Sequence, residues 1–362
     1  MADRPLHIAI DGRELVGRRT GVGRYLFEIM KQWAASPRPH RYTVVMPADP
    51  SADLTTLGSG FDWRVVPDDV GGTWWEQMRL PGVLAQLHPD ALFAPGYTAP
   101  LRARCPVVLA VYDVSFCAHP EWFSWREGIR RRRLTRTSAR RAHRVITISE
   151  FSRGEIHKYL GVPLDRMIIA APGAPATQFA DGARPPVVLY VGSLFNRRHI
   201  PDMIQGFAEV ANSVPAARMV IVGDNRTTPR LDPREVASRL GIGDRVDWRE
   251  YVTDAELHSL YHSARAFVFL SDYEGFGMTP LEALAHGVPS VLLDTEISRE
   301  VYADSAVRVA ADSRAIANGL TSLLVDGPAR DAALAAGRRR LGAFSWTRSA
   351  DLIADALAEA AG

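Results

Sequence analysis

The chain has 362 residues, which is too long for a usual single core and favours two domains of ordinary size. Its 43 Lys and Arg residues nearly balance its 41 Asp and Glu residues, so the surface as a whole does not suit a polyanion such as a nucleic acid. With 47% hydrophobic and 23% charged residues, the composition is that of a chain that folds.

The cysteines and the apolar runs indicate the compartment. Cys105 and Cys117 form no C-x-x-C motif, no disulfide framework and no Cys/His cluster, so a reducing, cytoplasmic compartment is expected. The N-terminal segment MADRPLHIAIDGREL reaches a charged residue after a very short apolar run, which is typical of a first strand and not of a secretory signal. No run of 18 apolar residues occurs, so no membrane-spanning helix is expected.

Short β-rich apolar runs alternate with helical patterns along the chain. In order they are LHIAID, YTVVMP, ALFAP, VVLAVYD, RVITIS, PVVLYVGS, ARMVIVGD, AFVFLS and PSVLL. This alternation predicts βαβ units on parallel sheets, and nine strands divide better between two sheets than into one. A stretch dense in Pro, Gly and Ala, Ala171 to Val188, is the expected linker.

A glycine-rich loop, TGVGRYLFEIM from Thr20 to Met30, follows the first strand and precedes a helix expected to start near Arg24. Gly21 and Gly23 could offer backbone N–H groups to an anion at the helix start, and a plain loop is an equally good interpretation. A dinucleotide fingerprint would need a third glycine, at the position of Leu26, and a tighter connection. The loop therefore gives only weak support to a dehydrogenase.

The corresponding place in the second half carries two arginines. Arg197 and Arg198 precede a helix with Pro201 in its first turn. Positive charge at a helix N-terminus opposes the helix macrodipole, and a phosphate held between the N–H groups and the guanidinium groups would account for it. A pair of solvated arginines is the alternative interpretation.

Two glutamates, Glu274 and Glu282, lie with seven residues between them in YEGFGMTPLEALAHGVPSV. The tetrapeptide TPLE fits a capping box with Thr279 as N-cap and Glu282 at N3, which gives Glu282 a structural explanation. Glu274 precedes a Gly-Phe-Gly stretch that needs no carboxylate for folding. We therefore expect Glu274 to act on a ligand, beside N–H donors from the Gly277–Met278 backbone.

This stretch resembles the E-x7-E signature of retaining glycosyltransferase family 4, which has the GT-B fold. Further segments resemble the family in the same order: IDGRELVGRRTGVGRYL, WWEQMRLP, VVLAVYDVSFCAHPEWF, RVITISEFSRGEI, YVGSLFNRRH, VDWREYVTDAELHSLY and FSWTRSADLIADAL. The similarity covers nearly the whole chain, and the ordered set is highly specific. It implies an α/β GT-B fold of two Rossmann-like domains whose parallel sheets face a central cleft.

The resemblance also implies domain roles. Residues 1–172 would form an acceptor-binding domain and residues 187–345 a nucleotide-sugar-binding domain. Residues 346–362, with Ser345 and Thr347 as candidate caps, would form a helix that packs back toward the first domain.

Site residues follow from the same resemblance. Glu274 would contact the donor sugar and Glu282 the ribose, while Arg198 stands where the family has a phosphate-binding lysine. The donor-binding residues implied are Arg197, Arg198, Glu282, Gly277, Met278, Thr279 and Val252, and Gly21 and Gly23 of the first loop are added to them. The catalytic residues implied are Glu274, Asp113 and Tyr112.

One position departs from the family. Where the family commonly has His-Asp, this chain has Tyr112-Asp113. Tyrosine donates a hydrogen bond but does not titrate near neutral pH, so a proton-carrying role for Tyr112 is in doubt, and simple packing is nearly as good an interpretation. A nucleotide-sugar-binding protein with lost catalysis is therefore the alternative to a metal-independent retaining glycosyltransferase.

Partners follow from the remaining patterns. Ten histidines without metal-ligand spacing, and the lack of an Asp-x-Asp pair, predict no metal. No cofactor is expected, because the nucleoside-diphosphate sugar is a substrate; the acceptor would be a carbohydrate or a lipid-linked carbohydrate. Nine arginines between Arg126 and Arg144 favour a solvated helix face over peripheral contact with the inner face of a membrane.

Overall fold

The computed structural model describes residues 4–17, 19, 21–36, 39–68, 71–177, 179 and 183–362. Two compact units form, the first from Met1–Gly173 with Ser345–Gly362 and the second from Ala174–Phe344. Thr20 of the first glycine-rich loop, and residues 178 and 180–182 of the expected linker, lie outside the described residues.

In the described part of the first unit, seven parallel strands form one sheet in the order β3-β2-β1-β4-β5-β6-β7. The strands are β1 (His7–Asp11), β2 (Arg41–Met46), β3 (Phe61–Val65), β4 (Ala91–Ala94), β5 (Val107–Ala110), β6 (Arg144–Thr147) and β7 (Met167–Ile169). The helices between them are α1 (Gly21–Ala35), α2 (Ala52–Thr55), α3 (Gly72–Met78), α4 (Leu80–Leu87), α5 (Ser115–Ala118), α6 (Trp125–Arg141) and α7 (Glu150–Leu160).

The second unit repeats this plan with six parallel strands among its described residues, in the order β10-β9-β8-β11-β12-β13. The strands are β8 (Val187–Val191), β9 (Arg218–Val222), β10 (Val246–Arg249), β11 (Ala266–Phe269), β12 (Ser290–Leu293) and β13 (Ala306–Val309). The helices are α8 (Ile200–Ser213), α9 (Pro233–Arg239), α10 (Asp254–Ser263), α11 (Met278–Ala285), α12 (Glu296–Tyr302), α13 (Ser313–Leu324) and α14 (Pro328–Leu341).

In both sheets the strand order reverses next to the first strand. Strand β1 lies between β2 and β4, and strand β8 lies between β9 and β11. This is the doubly wound order of a Rossmann-like sheet. In such sheets the crevice beyond the carboxyl ends of the two strands at the reversal is where ligands bind. The predicted α/β class with two parallel-sheet domains is confirmed.

All nine strands predicted from apolar runs are present, and four further strands were missed. The missed strands β3, β7, β10 and β13 are the four edge strands of the two sheets. In β3 and β10 the more buried and the more exposed residues alternate, whereas β4, β11 and β12 are buried at every position. An edge strand has one open side, so it lacks the continuous apolar run that identifies a central parallel strand.

The last helix, α15 (Trp346–Ala361), belongs to the first unit. Ser345 caps it by accepting a hydrogen bond from the Arg348 N–H, as predicted. Thr347 is not a cap, because its hydroxyl donates to Gln32 Oε1 of α1 at 2.8 Å. The indole N–H of Trp33 donates to the Ala350 carbonyl at 3.0 Å, so the beginning of α15 is bonded to α1.

Candidate active site

The reversal point of the second sheet carries an ion pair. Arg198 follows β8 and Glu274 follows β11, and these two strands are neighbours in the sheet. Arg198 Nη2 donates to Glu274 Oε1 at 2.9 Å, with the two side chains 11% and 22% exposed. The pair therefore joins the carboxyl ends of the two strands between which an open α/β sheet binds its ligand.

The backbone after β8 directs Arg198 inward. Gly192 has φ +150°, and a Cβ there would lie 2.5 Å from Arg198 Nη1. The chain then makes a single 3₁₀ turn at Asn196–Arg198, and His199, with φ +49°, begins α8 in the left-handed conformation. Helix α8 carries its proline at the first turn, as predicted.

The environment of Arg198 keeps it charged. Burial lowers its pKa, but Tyr190 and Glu274 outweigh this effect and raise it. Its Nη1 donates to the Ser193 carbonyl at 2.8 Å, and the guanidinium lies 4.6 Å from the centre of the Phe269 ring. Within the described part of the chain, buried Arg198 Nε has no hydrogen-bond partner. The site thus offers a fixed positive charge with remaining donor capacity.

Glu274 has a structural role that the sequence did not predict. Its Oε1 accepts a hydrogen bond from the Ser271 hydroxyl at 2.9 Å in addition to that from Arg198. The expectation that folding does not need this carboxylate stays a prediction. The flexibility of the glycines beside it gave no sign of a partner that is distant in sequence.

The predicted capping box is also wrong. Helix α11 begins at Met278, with Gly277 as its N-cap at φ +90° and no side-chain cap. Thr279 is therefore inside the first turn and Glu282 lies beyond N3. With Gly277 in the left-handed conformation as N-cap, the helix begins two residues earlier than the Thr-Pro pattern predicted. The N-cap carbonyl of Gly277 accepts a hydrogen bond from the Tyr302 hydroxyl.

Glu282 is almost fully buried, at 6% exposed, and its partner is an aromatic hydroxyl. The Tyr261 hydroxyl donates to Glu282 Oε2 at 3.1 Å. A carboxylate in such surroundings requires hydrogen-bond donors, and Tyr261 of α10 supplies one. Glu282 and Glu274 therefore both lie on the second unit, each held by a neighbour.

A small pocket lies in front of α11. Glu274, Ser271 and Gly277 line it together with the apolar Phe269 and Pro280. Apolar walls with a few converging polar groups are typical of small-molecule sites.

The remaining donor-binding candidates lie around the same sheet edge. Arg197 stacks over the ring of Phe195, 4.2 Å from its centre, and its carbonyl accepts the Asp272 N–H at 3.0 Å. Val252 is 7% exposed, whereas the neighbouring Tyr251 is 58% exposed. Tyr251 is therefore the more available of the two for contact with a planar base.

The candidates of the first unit form a separate set. Asp113 accepts hydrogen bonds from the Tyr97 hydroxyl and the Ser115 N–H, both at 2.8 Å. Tyr97 has φ +66°, a conformation that non-glycine residues rarely adopt outside functional sites. Tyr112 is 7% exposed and packs edge-on against the rings of Tyr97 and Tyr25. Burial raises the pKa of Tyr112 well above its usual value, so its hydroxyl stays protonated.

The two glycines at the start of α1 differ in surroundings. A Cβ at Gly23 would lie 2.1 Å from the Glu14 carbonyl oxygen, so this glycine is needed for close packing. A Cβ at Gly21, the first residue of α1, would meet nothing within 4 Å among the described atoms. Gly21 is therefore the position that leaves the helix start accessible.

The comparisons with known proteins decide the family. Residues 177–340 match the family described as glycosyl transferases group 1, and residues 19–178 match glycosyltransferase family 4. The chain belongs to the group 1 glycosyltransferases. The family that the sequence motifs indicated is thereby confirmed.

Relatives of this glycosyltransferase include mannosyltransferases. It is 28% identical over 360 residues to O-antigen chain mannosyltransferase B of Escherichia coli, which covers 90% of this chain and 93% of that protein. It is 28% identical over 228 residues to the GDP-mannose:cellobiosyl-diphosphopolyprenol alpha-mannosyltransferase of Xanthomonas campestris, 60% of this chain and 59% of that protein.

Solved structures with the same fold cover the whole chain. Anabaena HepE in complex with UDP and glucose matches with a TM-score of 0.76 and 20% identity, over 98% of this chain and 100% of that one. WaaG, a glycosyltransferase involved in lipopolysaccharide biosynthesis, matches with a TM-score of 0.72 and 16% identity, over 97% and 99%. The expected GT-B fold is thereby confirmed.

Sequence reasoning missed a buried charge cluster in the first unit of this glycosyltransferase. Arg13 Nη2 donates to Glu76 at 2.6 Å, and its Nε lies 3.2 Å from Asp11 Oδ2. Both carboxylates are fully buried, and burial raises the pKa of Asp11 to about 6. Arg13 follows β1 and also donates to Thr98, which follows β4, at 3.2 Å. The first sheet therefore also carries an arginine-centred cluster at its reversal point.

A second missed feature is a group of histidines. His258, His262 and His286 bring three imidazole nitrogens within 4.8 Å of one another. The expectation that the histidines lie scattered without metal spacing is wrong for these three. The four-residue spacing of the first two was visible in the sequence, and the third was not.

The basic stretch between Arg126 and Arg144 forms α6 and β6. Arg130, Arg133 and Arg141 are exposed, as both a solvated face and a membrane-contacting face require, so the preference for a solvated face stays a prediction. Among the helices of the described residues, none is long and apolar enough to cross a bilayer.

Proposed function

We propose that this glycosyltransferase is a retaining enzyme that moves a sugar from a nucleoside-diphosphate sugar to a hydroxyl of a carbohydrate or lipid-linked carbohydrate acceptor. The observation that carries the proposal is the Arg198–Glu274 pair at the reversal point of the second sheet. It places a permanent positive charge and a carboxylate where a doubly wound sheet binds nucleotides.

Each group at this edge has a role in donor binding. Arg198, with its additional donor capacity, and Arg197 would hold the diphosphate, together with the N–H groups of Met278 and Thr279 at the start of α11. Glu282 would accept hydrogen bonds from the ribose hydroxyls, and Glu274 from the donor sugar in the pocket beside it.

The chemistry follows from these charges. In the reaction the bond between the anomeric carbon and the phosphate oxygen breaks, and a bond to the acceptor oxygen forms on the same face of the sugar. Negative charge grows on the departing diphosphate, where the arginines and the helix N-terminus stabilise it by electrostatic preorganisation. The proton of the acceptor hydroxyl passes to the departing phosphate oxygen, so transfer needs no metal.

The names of the relatives guide the choice of donor. The Escherichia coli and Xanthomonas campestris relatives are mannosyltransferases, and the second is named for GDP-mannose. HepE was crystallised with UDP and glucose. We therefore rank GDP-mannose first and UDP-glucose second as donors.

The test uses the purified protein with a panel of nucleoside-diphosphate sugars in EDTA. A donor should be transferred or slowly hydrolysed, and the released or transferred sugar should keep its anomeric configuration by NMR. The matching nucleoside diphosphate at 100 times its dissociation constant should stabilise the protein by about 2.7 kcal/mol. An inverted product would refute the retaining mechanism, and activity only with added Mg²⁺ would refute metal independence.

The alternative is a nucleotide-sugar-binding protein without catalysis, which Tyr112 favours. Its hydroxyl is buried and stays protonated at neutral pH, so it cannot accept a proton. Stabilisation by a nucleoside-diphosphate sugar without transfer or hydrolysis of any donor would support this alternative.

We also propose peripheral contact of the first unit with an anionic bilayer. Trp125 at the start of α6 is 75% exposed, and Trp74 and Met78 of α3 are 42% and 54% exposed. Arg130 of α6 donates to Thr73 of α3 at 2.9 Å, so arginines and apolar side chains lie on adjoining helices. Basic and large apolar groups together are typical of interfacial binding.

Vesicle sedimentation tests this contact. Binding should require anionic lipid, weaken as salt rises, and fall when Trp125 is replaced with serine. Equal sedimentation of the two proteins with neutral and anionic vesicles would refute the proposal.

A further inference from the structure

Helix α10 and the end of α11 together present three imidazoles. His258 and His262 lie four residues apart and therefore on one face of α10. His286 follows the last residue of α11. Its Nε2 lies 3.3 Å from Nδ1 of His258, and each of the three rings offers a nitrogen within 4.8 Å of the other two.

The protonation of His286 suits a ligand. Its Nδ1 lies 2.8 Å from the backbone carbonyl of Glu282. A carbonyl oxygen only accepts hydrogen bonds, so Nδ1 carries the proton and neutral His286 presents the lone pair of Nε2 toward His258. Metal-binding histidines are commonly fixed by this kind of bond from the second ring nitrogen to a carbonyl.

A neighbouring aromatic ring holds His286 in place. The ring of Tyr261 stacks on that of His286, with 5.0 Å between centres and 16° between planes.

The donor set selects the kind of ion. Three imidazoles suit Zn²⁺, Ni²⁺ or Cu²⁺, whereas Mg²⁺ and Ca²⁺ prefer oxygen ligands. Arg184 donates to the His286 carbonyl at 2.6 Å and holds this residue at the end of α11. With Zn–N bonds of about 2.0–2.1 Å, two nitrogens of a tetrahedral site lie about 3.3 Å apart. The His258–His286 pair already has this separation.

We propose that His258, His262 and His286 bind one divalent transition-metal ion, with Zn²⁺ as the first choice. Small rotations of exposed His258 and half-buried His262 bring their nitrogens to the remaining corners. A water molecule would take the fourth position. The ion would connect α10 to the end of α11 and stabilise the second unit.

This inference does not rest on the proposed function, and its readouts need neither donor nor acceptor. The full-length protein, treated with EDTA and dialysed, is titrated with Zn²⁺ by calorimetry, and its melting temperature is measured with and without Zn²⁺. The wild-type protein should bind one equivalent and melt at a higher temperature with Zn²⁺. Co²⁺ at the same site should give the visible absorption of a four-coordinate complex.

The variants His258→Gln and His262→Gln remove one ligand each from an exposed and a half-buried position. Each should weaken Zn²⁺ binding at least tenfold and abolish the rise in melting temperature, since even the loss of an outer-shell partner costs about 10–100-fold in affinity. His143→Gln, an exposed histidine of the first unit, is the matched control and should bind as the wild type does. Failure of the wild-type protein to bind Zn²⁺, or unchanged binding in both ligand variants, would overturn the proposal.

Discussion

Replacing Glu274 with glutamine keeps the shape of the side chain and removes the charge opposite Arg198. The 2.9 Å contact with Arg198 becomes a neutral–charged hydrogen bond, and the contact with Ser271 stays available. The Arg198 bond stays a bond to a charged group, whereas the Ser271 bond becomes one between two neutral groups. Hydrogen bonds to charged groups are worth about 1.5–3 kcal/mol and neutral ones about 0.5–1.5 kcal/mol. We therefore expect the variant to lose about 1 kcal/mol, which lowers the melting temperature by about 2–4 °C for units of this size.

The same substitution lowers stability, but it should not weaken nucleoside-diphosphate binding. If the diphosphate binds Arg198 as proposed, Glu274 competes with it in the free enzyme. Glutamine should then leave nucleoside-diphosphate affinity unchanged or up to about fivefold tighter, the equivalent of about 1 kcal/mol. Transfer should nevertheless fall at least about a hundredfold, as it does when one group that stabilises a transition state is removed. Calorimetry measures the first quantity and initial rates the second.

Asp272→Asn is the matched control, because it removes a carboxylate charge two residues away. Asp272 is half exposed and pairs with His199 at 2.7 Å. We expect a stability loss of at most about 1 kcal/mol and near-normal transfer. Nearly full transfer by the Glu274→Gln protein, or an equal loss of transfer in the two variants, would refute the role of Glu274 in catalysis.

Further substitutions test the fold around the two reversal points. Arg13→Met leaves two buried carboxylates without a counter-charge and should cost about 3–5 kcal/mol in urea unfolding, with a smaller loss near pH 5, because burial raises the pKa of Asp11. Gly223→Ala should cost at least about 2 kcal/mol, because its Cβ would lie 2.0 Å from the Gly192 carbonyl oxygen, whereas Gly154→Ala on open helix α7 should stabilise by about 0.5–1 kcal/mol. Hydrogen bonding to Asp272 raises the pKa of His199. The difference in free energy of unfolding between the wild type and a His199→Asn variant should therefore be largest below about pH 6.5 and should decline as the pH rises through the raised pKa. A wild-type-minus-variant difference that grows with pH would contradict this assignment.

Central strands were predictable from sequence because burial on both faces of a parallel sheet demands a continuous apolar run. Strand β11, AFVF, is such a run, whereas edge strand β10, VDWR, alternates apolar and charged residues and reads equally well as a loop. The family and both sheets could therefore be inferred before the topology was known, and the edges of the sheets could not.

The residues of the candidate site could be predicted from the sequence, but their hydrogen-bond partners could not. Glu274 and Arg198 were each identified, but their pairing depends on β8 and β11 being neighbours although 76 residues separate the two side chains. Glu282 was assigned to a cap because local pattern rules see only nearby residues, whereas its partner Tyr261 lies on another helix. The assignments of these residues to donor binding stay predictions.

Helix α15 is separated from the rest of the first unit in the order of synthesis. Residues 1–173 are made before the second unit and α15 after it, so α15 can pack on α1 only once the whole second unit has been made. At about 5–20 residues per second, the intervening unit takes on the order of 10–30 s to synthesise. During that time the apolar surface of α1 that α15 covers stays open, and a chain truncated before Trp346 would keep it open permanently. Expression of the first unit alone should therefore join residues 345–362 to residue 173 through a short linker instead of ending the chain there.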